Sequence, residues 1–197
     1  AGRCLDCARM CSLCVSVCPN LAFMTYETER LDARLPLLTA RDRSVVAGAT
    51  RRFTVAQALQ VAVLTDFCNE CGNCTTFCPT AGAPHRDKPR LYRSAEAFEA
   101  ERDNAYALGL RVERWAMRAR VAGETHEIEI DEGGRVLYRT PAMTAVLEAR
   151  TLDLVSAELT KGAADRASLS LLPCATMYVL LDGVRRSLPH LPAMRWS

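Results

Sequence analysis

"CNECGNCTTFCP", residues 68–79, sets four cysteines at gaps of two, two and three residues and follows the last with proline. Two successive two-residue gaps curl the backbone so that three sulfurs converge on three corners of one metal–sulfide cube. The remaining thiol, four residues on, points away from that centre and toward a second one. Proline after it fixes the chain direction and removes an amide hydrogen. A tetrahedral zinc site would be satisfied by two CxxC pairs held apart by a finger or ribbon, whereas here three thiols crowd into seven residues.

This is the bacterial two-cluster ferredoxin spacing, in which the last cysteine serves the other cluster. The exchange partner lies upstream in "CLDCARMCSLCVSVCP", residues 4–19. Cys11, Cys14, Cys18 and Pro19 reproduce the last positions of the pattern. Strict spacing puts the first ligand at Ala8, and Cys7 stands one residue away, a bulge the backbone accommodates. Crosswise pairing then gives one [4Fe-4S] cluster on Cys7, Cys11, Cys14 and Cys78. The other falls on Cys68, Cys71, Cys74 and Cys18. Cys4 is left over, either as a thiol beside the cluster or as the ligand in place of Cys7. Cys7, Cys11 and Cys14 also spell the CxxxCxxC of radical S-adenosylmethionine enzymes, but those need a long barrel for which 197 residues leave no room.

Ten cysteines are present, nine of them in these two segments. Disulfides gain by closing long loops, and CxxC closes tiny ones. Clustered thiolates need a reducing compartment, so cytoplasm is expected. Only Lys88 and Lys161 are lysines among 25 basic residues, and net charge is +2. Such arginine bias follows genome base composition, and no basic stripe with interleaved aromatics points to nucleic acid. No apolar run reaches the length of a membrane span. The opening "AGRC" reads as part of a longer chain.

The segments "GRCLDCARMCSLCVSVCPN" and "DFCNECGNCTTFCPTAGAPHRDKPRLY" resemble the C-terminal region of the bacterial selenate reductase iron–sulfur subunits, flavoproteins whose body is similar to the small chain of glutamate synthase. The resemblance covers residues 2 to roughly 112 and rests on "RCLDC", "CNECGNC" and the lysine-containing tail entering "LY". It implies an electron-relay domain whose ligands are the cysteines above. It also implies a partner, a flavoprotein handling FAD and NAD(P)H. No GxGxxG occurs here, so flavin and nicotinamide belong to a partner subunit or domain.

The expected fold is α+β, a bacterial-type 2[4Fe-4S] ferredoxin-like domain over 1–93 with an insertion at 20–60. A small α+β appendage follows over 94–197. "QALQVAVLTDF" reads as the strand entering the second motif. "ETERLDARLPLLTARDRSVVAGATRRF" reads as a polar surface insertion with a short helix, and "APHRDKPR" as a connector. Ser94 caps a helix over "SAEAFEAERDNAYAL". "LRVERWAMRARV", "GETHEIEID" and "RVLYRT" form an antiparallel meander. Thr140 and Pro141 open a helix into "AMTAVLEARTLDLVSAEL", and a last helix through "ATMYVLLDGVRRSL" ends before Pro189.

Cys174, Trp115 and Tyr178 read as core. His85, His126 and His190 lack ligand-like spacing and are assigned to surface or turns. Asp6, Glu70 and Asn73 flank the motifs as candidate tuning groups or as solvated turn residues. The functional expectation is electron transfer through two clusters toward a flavoprotein or molybdenum-type oxidoreductase subunit, with no bond-making chemistry in this chain alone. Two alternatives stand beside it. One is a zinc-stapled binding module without redox activity. The other is an enzyme whose cluster binds substrate at an iron lacking a cysteine ligand.

Overall fold

Thirteen strands and five short or long helices are traced by a computed structural model, which describes residues 11–111, 114–164, 167–191 and, as backbone, 194–196. Cys4, Asp6 and Cys7 lie outside the described residues. In chain order the elements begin with α1 (Leu13–Ser16), β1 (Phe23–Glu27), β2 (Leu31–Arg41), β3 (Ser44–Val55), β4 (Leu59–Leu64), α2 (Asn73–Thr76), α3 (Pro84–Asp87), β5 (Arg90–Leu91) and α4 (Ala95–Glu99). There follow β6 (Ala105–Arg111), β7 (Arg114–Val121), β8 (Glu124–Ile130), β9 (Arg135–Arg139), β10 (Met143–Glu148), β11 (Leu154–Leu159), β12 (Ser168–Ser170), α5 (Leu172–Ser187) and β13 (Met194–Trp196).

The main sheet runs β1-β4-β5-β6-β7-β8-β9-β10-β11, with β13 on the far end of β6. A second sheet has the order β12-β2-β3, and β11 contacts both β2 and β3. The fold is mixed α+β with a large sheet. The main sheet has strands on both sides of residue 93. Short β5 pairs in parallel with β4 on one side and β6 on the other.

Helix α5 is the organising element. Cys174 through Val184 is buried almost all round, the mark of a central rather than a surface helix. It packs on β1, β7 and β8. Asp182, carried into this interior, is held by Arg185 and Arg186, so its charge is not left unpaired. Cys174 is fully buried, which pushes its thiol up and keeps it neutral. Tyr178 is buried and its hydroxyl accepts the Arg150 amide at 2.9 Å.

The strand entering the second motif and the meander are present as expected, and the last helix ends at Ser187. Three expectations are corrected. Residues 31–55 form the hairpin β2–β3, not a helical insertion: Leu31, Ala33 and Leu35 alternate inward, opposite exposed Asp32 and Arg34. Residues 141–159 form β10–β11, not a helix. There Thr140 Oγ1 accepts the Met143 amide and bonds its carbonyl, closing a turn, and Met143, Ala145 and Leu147 alternate into the core. The Ser94 cap is present, its Oγ accepting the Ala97 amide at 3.3 Å, but the helix stops at Glu99 because Ala105–Leu108 is buried on both faces as β6. Among the described residues no helix is long and apolar enough to cross a membrane.

His126 is buried inside the meander, its Nδ1 2.5 Å from the Tyr138 hydroxyl, not on the surface. Burial holds its pKa below the ordinary imidazole value, against a smaller opposing pull from Glu124. On unfolding it regains a pKa near about 6.5 and takes up a proton that the folded chain refuses. Stability is therefore full above that pH and declines as pH falls toward the folded value. We expect the urea midpoint to drop between about pH 7.5 and 5.5, at a slope of at most about 1.4 kcal/mol per pH unit. The slope should flatten in His126→Gln; an unchanged slope would rule out His126 as its source.

Candidate iron–sulfur site

Strands β1 and β4 bring the two cysteine segments together. They pair antiparallel from Phe23↔Val63 to Glu27↔Leu59, so the chain leaving the first segment runs beside the chain entering the second. A single 3-10 turn, Thr65–Phe67, links β4 to Cys68. Each segment then makes one helical turn, α1 or α2, and these two turns contact one another.

The segments repeat in three dimensions as they do in sequence. After Cys18-Pro19 the amide of Leu21 donates to the Cys18 carbonyl at 3.3 Å, and after Cys78-Pro79 that of Ala81 donates to the Cys78 carbonyl at 3.1 Å. Leu21 and Ala81 share a left-handed backbone, with φ of 53° and 51°. Non-glycine residues rarely adopt it. The reversal aims the next amide back at sulfur: Ala22 N–H lies 3.4 Å from Cys18 Sγ, and Gly82 N–H 3.3 Å from Cys78 Sγ. At Cys78 this amide favours thiolate over thiol.

Cys11, Cys14 and Cys78 line one cavity with Thr80, Gly82 and Lys88. Two of these thiols come from the first segment and one from the second. Cys18, Cys68, Cys74 and Cys14 pack together in an apolar nest with Phe23, Val61 and Val63. Cys71 is exposed, and its amide donates to the Asn69 side chain at 3.3 Å. Glu70 reaches Arg86 at 3.4 Å across exposed surface, the kind of pair that contributes little.

The ionisation of Cys78 fits a ligand role. Burial opposes its thiolate, but the Thr80 hydroxyl and amide, the Gly82 amide and the charge of Lys88 outweigh it, and its pKa falls below the ordinary thiol value. Among the described residues no three His, Cys, Asp or Glu side chains converge as ligands of a single ion.

Three neighbours escaped the sequence reading. His85, assigned there to a surface or turn, has Nδ1 3.6 Å from Cys74 Sγ and 3.5 Å from Thr75 Oγ1. Lys88 is buried at the cavity. Asn104 donates to the carbonyls of Arg86 and Lys88 at 2.6 and 2.9 Å, holding the connector under the site. The proline-punctuated "APHRDKPR" was the available signal, since a chain that turns so tightly after a ligand stays near it.

No family model matches the chain, and no solved structure matches it. Over 135 residues, 68% of its length, the chain is 34% identical to the "Putative oxidoreductase YgfK" of Escherichia coli strain K12, and equally to its counterpart in Escherichia coli O157:H7. The matched stretch is 10% of each relative, so the chain spans about a tenth of their length. By that similarity the chain is related to a stretch of a protein that carries an oxidoreductase name.

Proposed function

We propose that this chain is an electron relay holding two [4Fe-4S] clusters, working as a subunit or domain of a larger oxidoreductase. One observation carries the reading. Thiols from segments some sixty residues apart line one cavity, Cys78 with Cys11 and Cys14, which supports the crossed pairing of the two-cluster ferredoxin spacing. Cys7, or Cys4 in its place, and Cys71 complete the two sets.

Bound clusters would supply one-electron chemistry. The chain's own contribution is to hold thiolates, donate the Ala22 and Gly82 amides to sulfur, and exclude water with Phe23, Val61 and Val63. Each of these shifts reduction potential. The selenate reductase resemblance implies a flavoprotein or molybdenum-type partner that binds FAD and NAD(P)H, and the relative's oxidoreductase name supports a redox setting. A reducing, cytoplasmic setting follows from the free thiolates the site requires.

The test is metal and acid-labile sulfide analysis of protein purified without oxygen. About eight irons and eight sulfides per chain are expected. Zinc without sulfide would overturn the relay and leave a metal-stapled binding module.

A further inference from the structure

Lys88 is 7% exposed, and among the described residues it is the only buried lysine or arginine. It lines the cavity that Cys11, Cys14 and Cys78 share. Lysine is seldom buried so far unless negative charge lies near it. Three thiols that ligate as thiolates supply such charge. The connector holds the residue in place from both sides. Its amide donates to the Pro84 carbonyl at 3.2 Å, and its carbonyl accepts Asn104 Nδ2 at 2.9 Å. One residue on, the Pro89 carbonyl accepts the Val63 amide at 2.8 Å, which ties the connector to β4.

Asp87 lies in the same wall, its Oδ2 accepting the Ala83 amide at 2.8 Å. It is half-buried where Lys88 is buried, so water screens its charge more strongly. Burial opposes the Cys78 thiolate, and among charged neighbours Lys88 is the one that favours it. The other cysteines have different surroundings. Cys18, Cys68 and Cys74 back onto Phe23, Val61 and Val63 with no buried cation among them. The charges flanking exposed Cys71 are those of Glu70 and Arg86, which pair with each other at the surface. His85 touches Cys74 and carries charge only when protonated.

From this asymmetry we infer that Lys88 raises the reduction potential of the cluster on Cys11, Cys14 and Cys78, which is reduced before the one on Cys18, Cys68, Cys71 and Cys74. The inference rests on the two-cluster reading above. Reduction adds one electron to a centre that its thiolate ligands already make anionic, and no bond forms or breaks. A buried cation stabilises that added charge where little water screens it. The relay thereby gains a direction, since an electron delivered to either centre settles on the one beside Lys88.

A redox titration of the full chain, purified without oxygen and followed by paramagnetic resonance, tests it. At about pH 8.5 an ordinary imidazole is neutral and an ordinary ammonium charged. Cys18→Ser keeps the centre beside Lys88, and Cys78→Ser keeps the other. The first should titrate higher by at least about tenfold in the reduced-to-oxidised ratio, or about 59 mV. Adding Lys88→Met should remove about that difference from the first centre and change the second by less than about threefold, whereas Lys88→Arg should preserve the difference. An equal or higher potential for Cys78→Ser overturns the inference, whether or not Lys88→Met assembles its clusters. So does a Lys88→Met shift that is absent, or the same at both centres. Zinc without sulfide in the unaltered protein would overturn the two-cluster reading and the inference with it. Eight irons with no difference between the centres would overturn the inference alone.

Discussion

Replacing Cys78 with serine should lower bound iron from about eight to about four per chain, leaving the same residual centre as replacing Cys11. The proposed crossed assignment makes this specific. Cys78 follows Cys71 and Cys74 in sequence, yet it lines a cavity with Cys11 and Cys14. The paramagnetic resonance spectrum of the reduced Cys78→Ser protein should therefore match that of Cys11→Ser. It should differ from the spectra of Cys18→Ser and Cys71→Ser, which should match one another. If Cys78→Ser instead shares its spectrum with Cys71→Ser, each segment feeds its own cluster and the crossed assignment fails. Cys174→Ser is the control: its thiol lies in the core away from both segments, and iron content should not change.

The second large effect is at Gly183, in the middle of α5. A Cβ there would sit 2.5 and 2.9 Å from ring carbons of Tyr26 and 2.8 Å from the Glu27 carbonyl oxygen. Tyr26 is itself buried and the carbonyl belongs to β1, so neither neighbour moves easily. Glycine to alanine within a helix gains about 1 kcal/mol of intrinsic propensity. Overpacking a tight core costs about 1–3 kcal/mol, so the clash outweighs the gain and Gly183→Ala should be destabilised. Gly183→Val, larger and β-branched, should lose about 3 kcal/mol or more. Gly48→Ala should shift stability by less than about 0.5 kcal/mol, since its Cβ would meet only the Leu37 carbonyl oxygen at 3.4 Å. Equilibrium urea unfolding reads all three. A higher midpoint for Gly183→Ala would show that α5 and β1 do not approach this closely.

Much of the candidate site was legible because cysteine spacing is itself a geometric statement. The two cysteine segments stand out before any fold is known, and β1–β4 pairing then brings them side by side. The surrounding groups were not legible, since Lys88, His85 and Asn104 reach the site only after the connector folds back. For the fold, strand β4 and the meander announced themselves by apolar runs and by turns such as Ala122-Gly123, both left-handed. "AMTAVLEAR" misled because alanine, leucine and glutamate favour helix intrinsically. Pairing with β9 and β11 on both sides overrode that preference. In "LDARLPLL" the period-two alternation was present but was masked by the arginine-rich strand that follows. β3 is exposed over Val46–Arg52 and so lacks the alternation that identifies a strand.

The pairing of β1 with β4 also governs the order in which the molecule can assemble. Thiols of the two segments meet only when Glu27 reaches Leu59, which closes an excursion of roughly thirty residues. That excursion is mostly the β2–β3 hairpin, whose contacts are local. A hairpin forms in roughly 1–10 μs without help from the rest of the chain. Once formed, it shortens the effective loop to about six residues and removes about 1.5 kcal/mol of closure entropy. The hairpin thus acts as a clasp that brings the second set of sulfurs beside the first, while its own apolar face becomes part of the core around α5.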